Sequence, residues 1–162
     1  GTVWMPEYGR EYWEEHQVAR RLTPGDLEEI ARVHAEREDA LALDADRWLI
    51  SDTCALTTRA FALDYHGGAS PRLSAAADAC ARRYDLFFLC GDDIPFEDTW
   101  DRSGPQKRSD FQRLVEADLL ERRIPFIPLL GTLEERLDTA ARAIAGFEKF
   151  GNYFGMAASA GL

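Results

Sequence analysis

The side chains best suited to chemistry follow short apolar runs. Glu7-Tyr8-Gly9-Arg10-Glu11 comes after Val3-Trp4-Met5 and Pro6. A carboxylate such as Glu7, leaving a strand next to a glycine that permits a tight turn, can accept hydrogen bonds from sugar hydroxyls or take a proton from one. The same spacing also suits a capping acid paired with a surface arginine. Ser51-Asp52-Thr53 comes after Trp48-Leu49-Ile50. An apolar strand that ends in Asp is one way to set a carboxylate beside a magnesium ion and phosphates. Many strands end in Asp simply because it caps the next helix. Thr57-Thr58 lie just beyond and can cap that helix or line a site. The third group is Pro95-Phe96-Glu97-Asp98-Thr99-Trp100-Asp101-Arg102, followed by Gln106-Lys107-Arg108. Arg102, Lys107 and Arg108 cluster in an otherwise acidic chain. Guanidinium groups on a loop and on a first helical turn suit the neutralisation of transferring phosphates. A solvated charged loop would look the same.

These groups need a scaffold, and the chain is long enough for one. It has 162 residues, 46% hydrophobic and 30% charged, which is a globular composition. Lys and Arg number 19 against 29 Asp and Glu, a net charge of −10. That excess of acid argues against a nucleic-acid binder working through broad electrostatics, yet leaves room for a local phosphate grip. No apolar run approaches the roughly 20 residues that span a bilayer, and with no n-region plus h-region at the start of these residues a signal peptide is not expected. Neither a nucleic acid nor a membrane is therefore expected as a partner. Cys54, Cys80 and Cys90 form no CxxC pair and read as reduced, buried thiols of a cytoplasmic protein. His16, His34 and His66 lack any HxxxH or HExxH spacing, so a zinc site is not expected.

Val3-Trp4-Met5 reads as a short buried strand and 10–21 as a helix. Thr23-Pro24-Gly25-Asp26 starts the next helix, with Thr23 as N-cap and Pro24 in the first turn. That helix carries Leu27, Ile30, Ala31, Val33 and His34 at helical spacing to about Leu43, and His34 reads as a partly buried core residue. Strands are expected at 48–50, 85–90 and 126–130. Helices are expected at 56–65, stopped by His66-Gly67-Gly68, at 71–83 after Ser70, at 107–123, and from a Thr132 cap to about Phe147. The Gly/Ala-rich stretch 151–162 shows no clear element. Short continuous apolar strands alternating with helices predict an α/β fold with a mostly parallel sheet covered on both faces. In such sheets the active site lies beyond the carboxyl ends of the strands, where the three polar groups fall.

Taken together, the three groups resemble a known family. Glu7-Tyr8-Gly9-Arg10-Glu11, then Asp52-Thr53 with Thr57-Thr58-Arg59-Ala60-Phe61, then Pro95-Phe96, Asp98, Arg102, Arg108 and Phe111, match in order and approximate separation the ribosylnicotinamide kinase domain of the NadR type. The resemblance runs from about residue 2 to 146. It implies a three-layer P-loop NTPase-like fold over residues 1–150, with 151–162 as a tail. It also implies phosphoryl transfer from ATP, with Mg²⁺, to the ribose 5′-hydroxyl of nicotinamide riboside, giving nicotinamide mononucleotide. On this reading Glu7, with Tyr8 and Arg10, faces the riboside, and Trp4, Tyr8 and Trp100 are candidates for stacking on the base. Asp52 holds Mg²⁺ or positions the hydroxyl, and Arg102 and Arg108 are lid arginines on the phosphates.

The sequence departs from that pattern in three ways. It contains no GxxxxGK[ST], the motif whose backbone amides and lysine hold the phosphates, and which the family carries just upstream of this point. The expectation is that the first strand and phosphate loop are missing and that this chain alone turns over almost nothing. Cys54 stands where many relatives have a second acid, and Trp100 where the lid often has a small residue. No adenylyltransferase domain, which often precedes such a kinase, is expected within these 162 residues. A catalytically dead kinase-like module for binding or assembly, and another nucleoside kinase, are the alternatives.

Overall fold

The computed structural model describes residues 2–16, 21–94 and 105–159, with backbone alone at 105–106 and 148–159. Along the chain run β1 (Thr2–Met5), α1 (Tyr8–His16), α2 (Pro24–Ala42), β2 (Trp48–Ser51), α3 (Ala55–His66), α4 (Pro71–Arg83), β3 (Phe88–Cys90), α5 (Pro105–Glu121), β4 (Ile127–Leu129) and α6 (Leu133–Ser159). The α/β class is as expected. The strands form two parallel two-stranded sheets, β1 with β2 and β3 with β4; the pairing breaks between the Trp48 and Phe88 strands, where the expected parallel sheet, lacking its first strand, should show a gap. Two strands are shorter than their apolar runs, because only Phe88–Cys90 and Ile127–Leu129 join a ladder. At the other end of the chain, α6 continues to Ser159, through glycines and alanines where no element was expected. Among the described residues no helix is long and apolar enough to cross a membrane.

The chain divides into two compact units, Gly1–Asp85 with Arg113–Ile124, and Leu86–Gln112 with Pro125–Leu162. In the first, α2 is the organising element. Thr23 caps it in a reciprocal box: its hydroxyl accepts from the Asp26 N–H at 3.2 Å, and the Asp26 carboxylate accepts from the Thr23 N–H at 2.8 Å. One face of α2 buries Leu27, Ile30, Ala31, His34 and Glu38. Ile30 joins Met5, Tyr8 and Tyr12 in one core cluster, with Leu49 packed against it. Leu27 and Ala31 join Ala62 and Leu73 in another. Burying a side chain of leucine size contributes about 2 kcal/mol, so these clusters set the position of β1, β2, α3 and α4 around α2. Gly67 ends α3 at φ 70°, a left-handed position that glycine adopts without strain. Ser70 then restarts the chain as the N-cap of α4.

In the second unit the strand ends are tied together. The Gly91 N–H donates to the Leu129 carbonyl at 2.9 Å. Asp93 accepts from the Gly131 N–H at 2.5 Å and pairs with the buried Arg136, whose Nε donates to the Gly131 carbonyl at 2.8 Å. Gly131 sits at φ 83°, and a Cβ there would collide with Glu135, the residue that accepts from the Thr132 N–H and hydroxyl at the start of α6.

Candidate active site

The parallel register of β1 and β2 decides where Glu7 and Asp52 go. Met5 lies opposite Ser51, so both strands end at one level. The Asp52 N–H donates to the Met5 carbonyl at 2.8 Å and extends the ladder by one bond. Glu7 and Asp52 therefore leave the same edge of the sheet, as expected from their positions after a strand.

Asp52 is exposed, and Thr53 beside it has φ 68°. A β-branched residue in the left-handed region is a true outlier, costing about 1–3 kcal/mol. Such strain persists only where the surroundings hold the backbone in place. Here they do. Ser51 donates to Glu38, a carboxylate only 2% exposed in the middle of α2. Glu38 Oε1 also accepts from the Tyr84 hydroxyl at 2.9 Å and lies 3.2 Å from His34 Nε2, and Oε2 accepts from Arg83 Nε at 2.7 Å. His34 Nε2 is 3.0 Å from Ser51 Oγ. Burial alone would push the Glu38 carboxyl up. The bonds from His34, Ser51, Arg83 and Tyr84 reverse that and hold it at about 2. Burial, with the charges of Cys54 and Glu38, raises the Tyr84 phenol. The network joins α2, the end of β2 and the end of α4, and it anchors the strand from which Asp52 projects.

Glu7 is half-buried, and its Oε2 lies 3.8 Å from Arg10 Nε. Arg10 is largely exposed. Gly9 makes no tight turn: it is helical, and a Cβ there would meet Glu7 Oε1 and Ile30 at an ordinary 3.7 Å. Tyr8 is buried in the core, with the Arg37 guanidinium 4.2 Å from its ring centroid. Arg37 in turn donates to both oxygens of Glu11, at 2.6 and 2.7 Å, and chiefly through those bonds holds the Glu11 carboxyl below its usual range. Trp4 stays 63% exposed on β1, beside Ile50 of β2. Thr58 is buried and its hydroxyl donates to the Cys54 carbonyl at 3.3 Å, while Arg59 donates to Asp118 at 3.0 Å. Both residues of that motif thus brace α3.

In the second unit Arg108 lies in α5 and donates to the Ile94 carbonyl at 3.0 Å. Arg102 and Trp100 lie outside the described residues. So the structure brings Glu7 and Asp52 to one sheet edge and places Trp4 on the sheet beside them. The cysteines are free. Cys80 is buried, Cys54 half-buried, and Cys90 exposed, contrary to the expectation that all three would be buried.

The Glu38 network was not anticipated from the residues alone. The signal was present: 27, 30, 31, 34 and 38 form one helical stripe, and an acid continuing an apolar stripe is a buried acid.

Among the described residues no three of His, Cys, Asp and Glu gather into a metal cage. An exposed carboxylate at a strand end is still a donor that suits Mg²⁺, which takes one or two carboxylates and completes its octahedron with phosphates and water. The fit to ATP is different, because no phosphate-cradling GxxxxGK[ST] occurs in these residues. A family model described as AAA domain matches residues 1–136. No curated protein matches the chain.

Proposed function

Because the chain belongs to the AAA domain family, a P-loop NTPase-like family whose members generally bind nucleotide and Mg²⁺, we propose that it is the acceptor-side part of an ATP-dependent small-molecule kinase, with nicotinamide riboside as the acceptor. The observation that carries this reading is the shared edge: Asp52 and Glu7 leave two paired parallel strands at one level, tied by the Asp52 N–H to Met5 carbonyl bond. A carboxylate for the metal and a carboxylate for a ribose hydroxyl are the two acidic groups such a transfer needs. Glu7 accepts from the ribose and orients its 5′-hydroxyl, with Arg10 beside it. Trp4 and Trp100 offer rings to the base, and Tyr8 supports Glu7 from the core. Asp52 would hold Mg²⁺, which would neutralise phosphate charge. By the resemblance, Arg102 and Arg108 would neutralise the transferring phosphates, a step in which positioning and charge do most of the catalytic work.

The test is transfer from labelled ATP by the full-length protein, offered nicotinamide riboside against adenosine, cytidine and uridine. Preferred labelling of nicotinamide riboside is expected. Arg102→Ala and Arg108→Ala should each lower kcat by about 2–4 kcal/mol with smaller effects on the riboside KM. Glu7→Ala should harm kcat and KM together. A general nucleoside preference would replace the acceptor. No transfer to any riboside would favour the second reading, a kinase-like binding module, which the lack of GxxxxGK[ST] in these residues also supports.

A further inference from the structure

Cys54 and Cys80 are far apart in sequence but meet in the fold. Cys54 is the N-cap of α3, and Cys80 lies in the last turn of α4. A short link through Gly67 and Ser70 turns α4 back along α3, so the start of one helix faces the end of the other. α3 and α4 pack along each other, and the two side chains interact there. Cys80 is buried at 1% exposure and donates its thiol to the Ala76 carbonyl, whereas Cys54 is only half-buried. Cysteine is also an odd choice for an N-cap, a position that favours Ser, Thr, Asp and Asn, and it makes no side-chain capping bond here. Cys54 follows the strained Thr53, two residues after Asp52.

We propose that Cys54 and Cys80 form a modification site, an oxidisable dithiol whose co-substrate is a hydroperoxide. Access sets the order. Cys54 Sγ attacks the terminal peroxide oxygen, the O–O bond breaks, and the thiol proton leaves with the departing oxygen as an alcohol, or as water from hydrogen peroxide. Cys54 is then a sulfenic acid. Cys80 Sγ attacks Cys54 Sγ, the S–S bond forms, the S–O bond breaks, and the hydroxide takes the Cys80 proton as water. Two sulfurs lose two electrons, and one peroxide bond gains them. Cys90, exposed on β3 in the second unit, takes no part.

The experiment uses the chain itself, reduced, in a Cys90→Ser background, exposed to one equivalent of hydrogen peroxide. Titratable thiols counted after denaturation should fall from two to zero and return with dithiothreitol. Trypsin should release Trp48–Arg59 joined to Leu73–Arg82, two hydrogens lighter than the separate peptides. In a Cys80→Ser variant, dimedone should label Cys54. Thiols that survive, a link between two copies of the chain, or sulfinic acid on Cys54 with Cys80 still reduced would each overturn the proposal. No outcome depends on kinase activity, so failure here is distinct from failure of the proposed function.

Discussion

Replacing Glu38 with glutamine tests whether the buried network holds the site edge in place. The substitution keeps the shape of the side chain and an oxygen for Ser51 and Tyr84. It removes the charge, and it turns an amide donor toward the Arg83 guanidinium, which is itself only a donor. The size of the effect follows from the carboxyl's proton affinity. Its pKa falls from an ordinary 4.5 to about 2 in the fold. At about 1.4 kcal/mol for each tenfold change, the ionised carboxylate contributes about 3 kcal/mol of stability. A depressed carboxyl contributes fully above its unfolded value and loses that contribution as pH falls toward its folded value. Urea unfolding of the two proteins should therefore differ by about 3 kcal/mol at pH 7. The gap should stay constant down to about pH 5 and close progressively as pH falls from there through about 2. Equal stabilities at pH 7 would refute the reasoning, because the network would then cost as much as it returns. A gap independent of pH would show that shape, and not charge, carries the effect. If the proposed function holds, the same variant should raise the Mg²⁺ requirement for transfer more than it raises the acceptor KM, since Ser51 links Glu38 to the strand end that carries Asp52.

Three further outcomes are expected. Tyr12 donates to Asp26 at 2.8 Å, and that bond above all lifts its phenol to about 12, so in an absorbance titration Tyr12 should ionise late along with the raised Tyr8 and Tyr84, and Asp26→Asn should move one phenol out of that late group toward 10. Asp118 accepts from Arg59 at 3.0 Å and Arg122 at 2.9 Å, so Asp118→Ala leaves two largely buried guanidinium groups without it and should cost about 3 kcal/mol in urea unfolding; a loss under about 1 kcal/mol would mean that they regain water. Thr53→Gly should hold or raise the melting temperature, by up to about 1 kcal/mol of stability, because glycine relieves the left-handed backbone; a marked drop would show that the threonine side chain holds the turn.

Local features were legible in the residues because they are decided locally. The Thr23-Pro24-Gly25-Asp26 start of α2, the Gly67 stop and the Ser70 cap depend on backbone donors and φ angles within a few residues, and each stands where its chemistry requires. Apolar runs flanked by turns revealed the existence of all four strands, and the post-strand positions of Glu7 and Asp52 followed from those. Tertiary structure decided whatever depends on partners distant in the chain. Which strands pair is one such choice, because a run of Trp-Leu-Ile is equally apolar in either of two sheets. Tyr8 reads as an exposed member of a polar motif but lies in the core, because β1 and α2 close over it. Glu38 reads as one acid among many in 36–39, yet it is the most constrained charge in the first unit. Four groups from three elements converge on it, and only the fold brings Arg83 and Tyr84 within bonding distance of a residue 45 and 46 positions earlier. The helical stripe on α2 marks Glu38 as buried, but long-range charge pairing has no local signature, so its partners were decided by the fold alone.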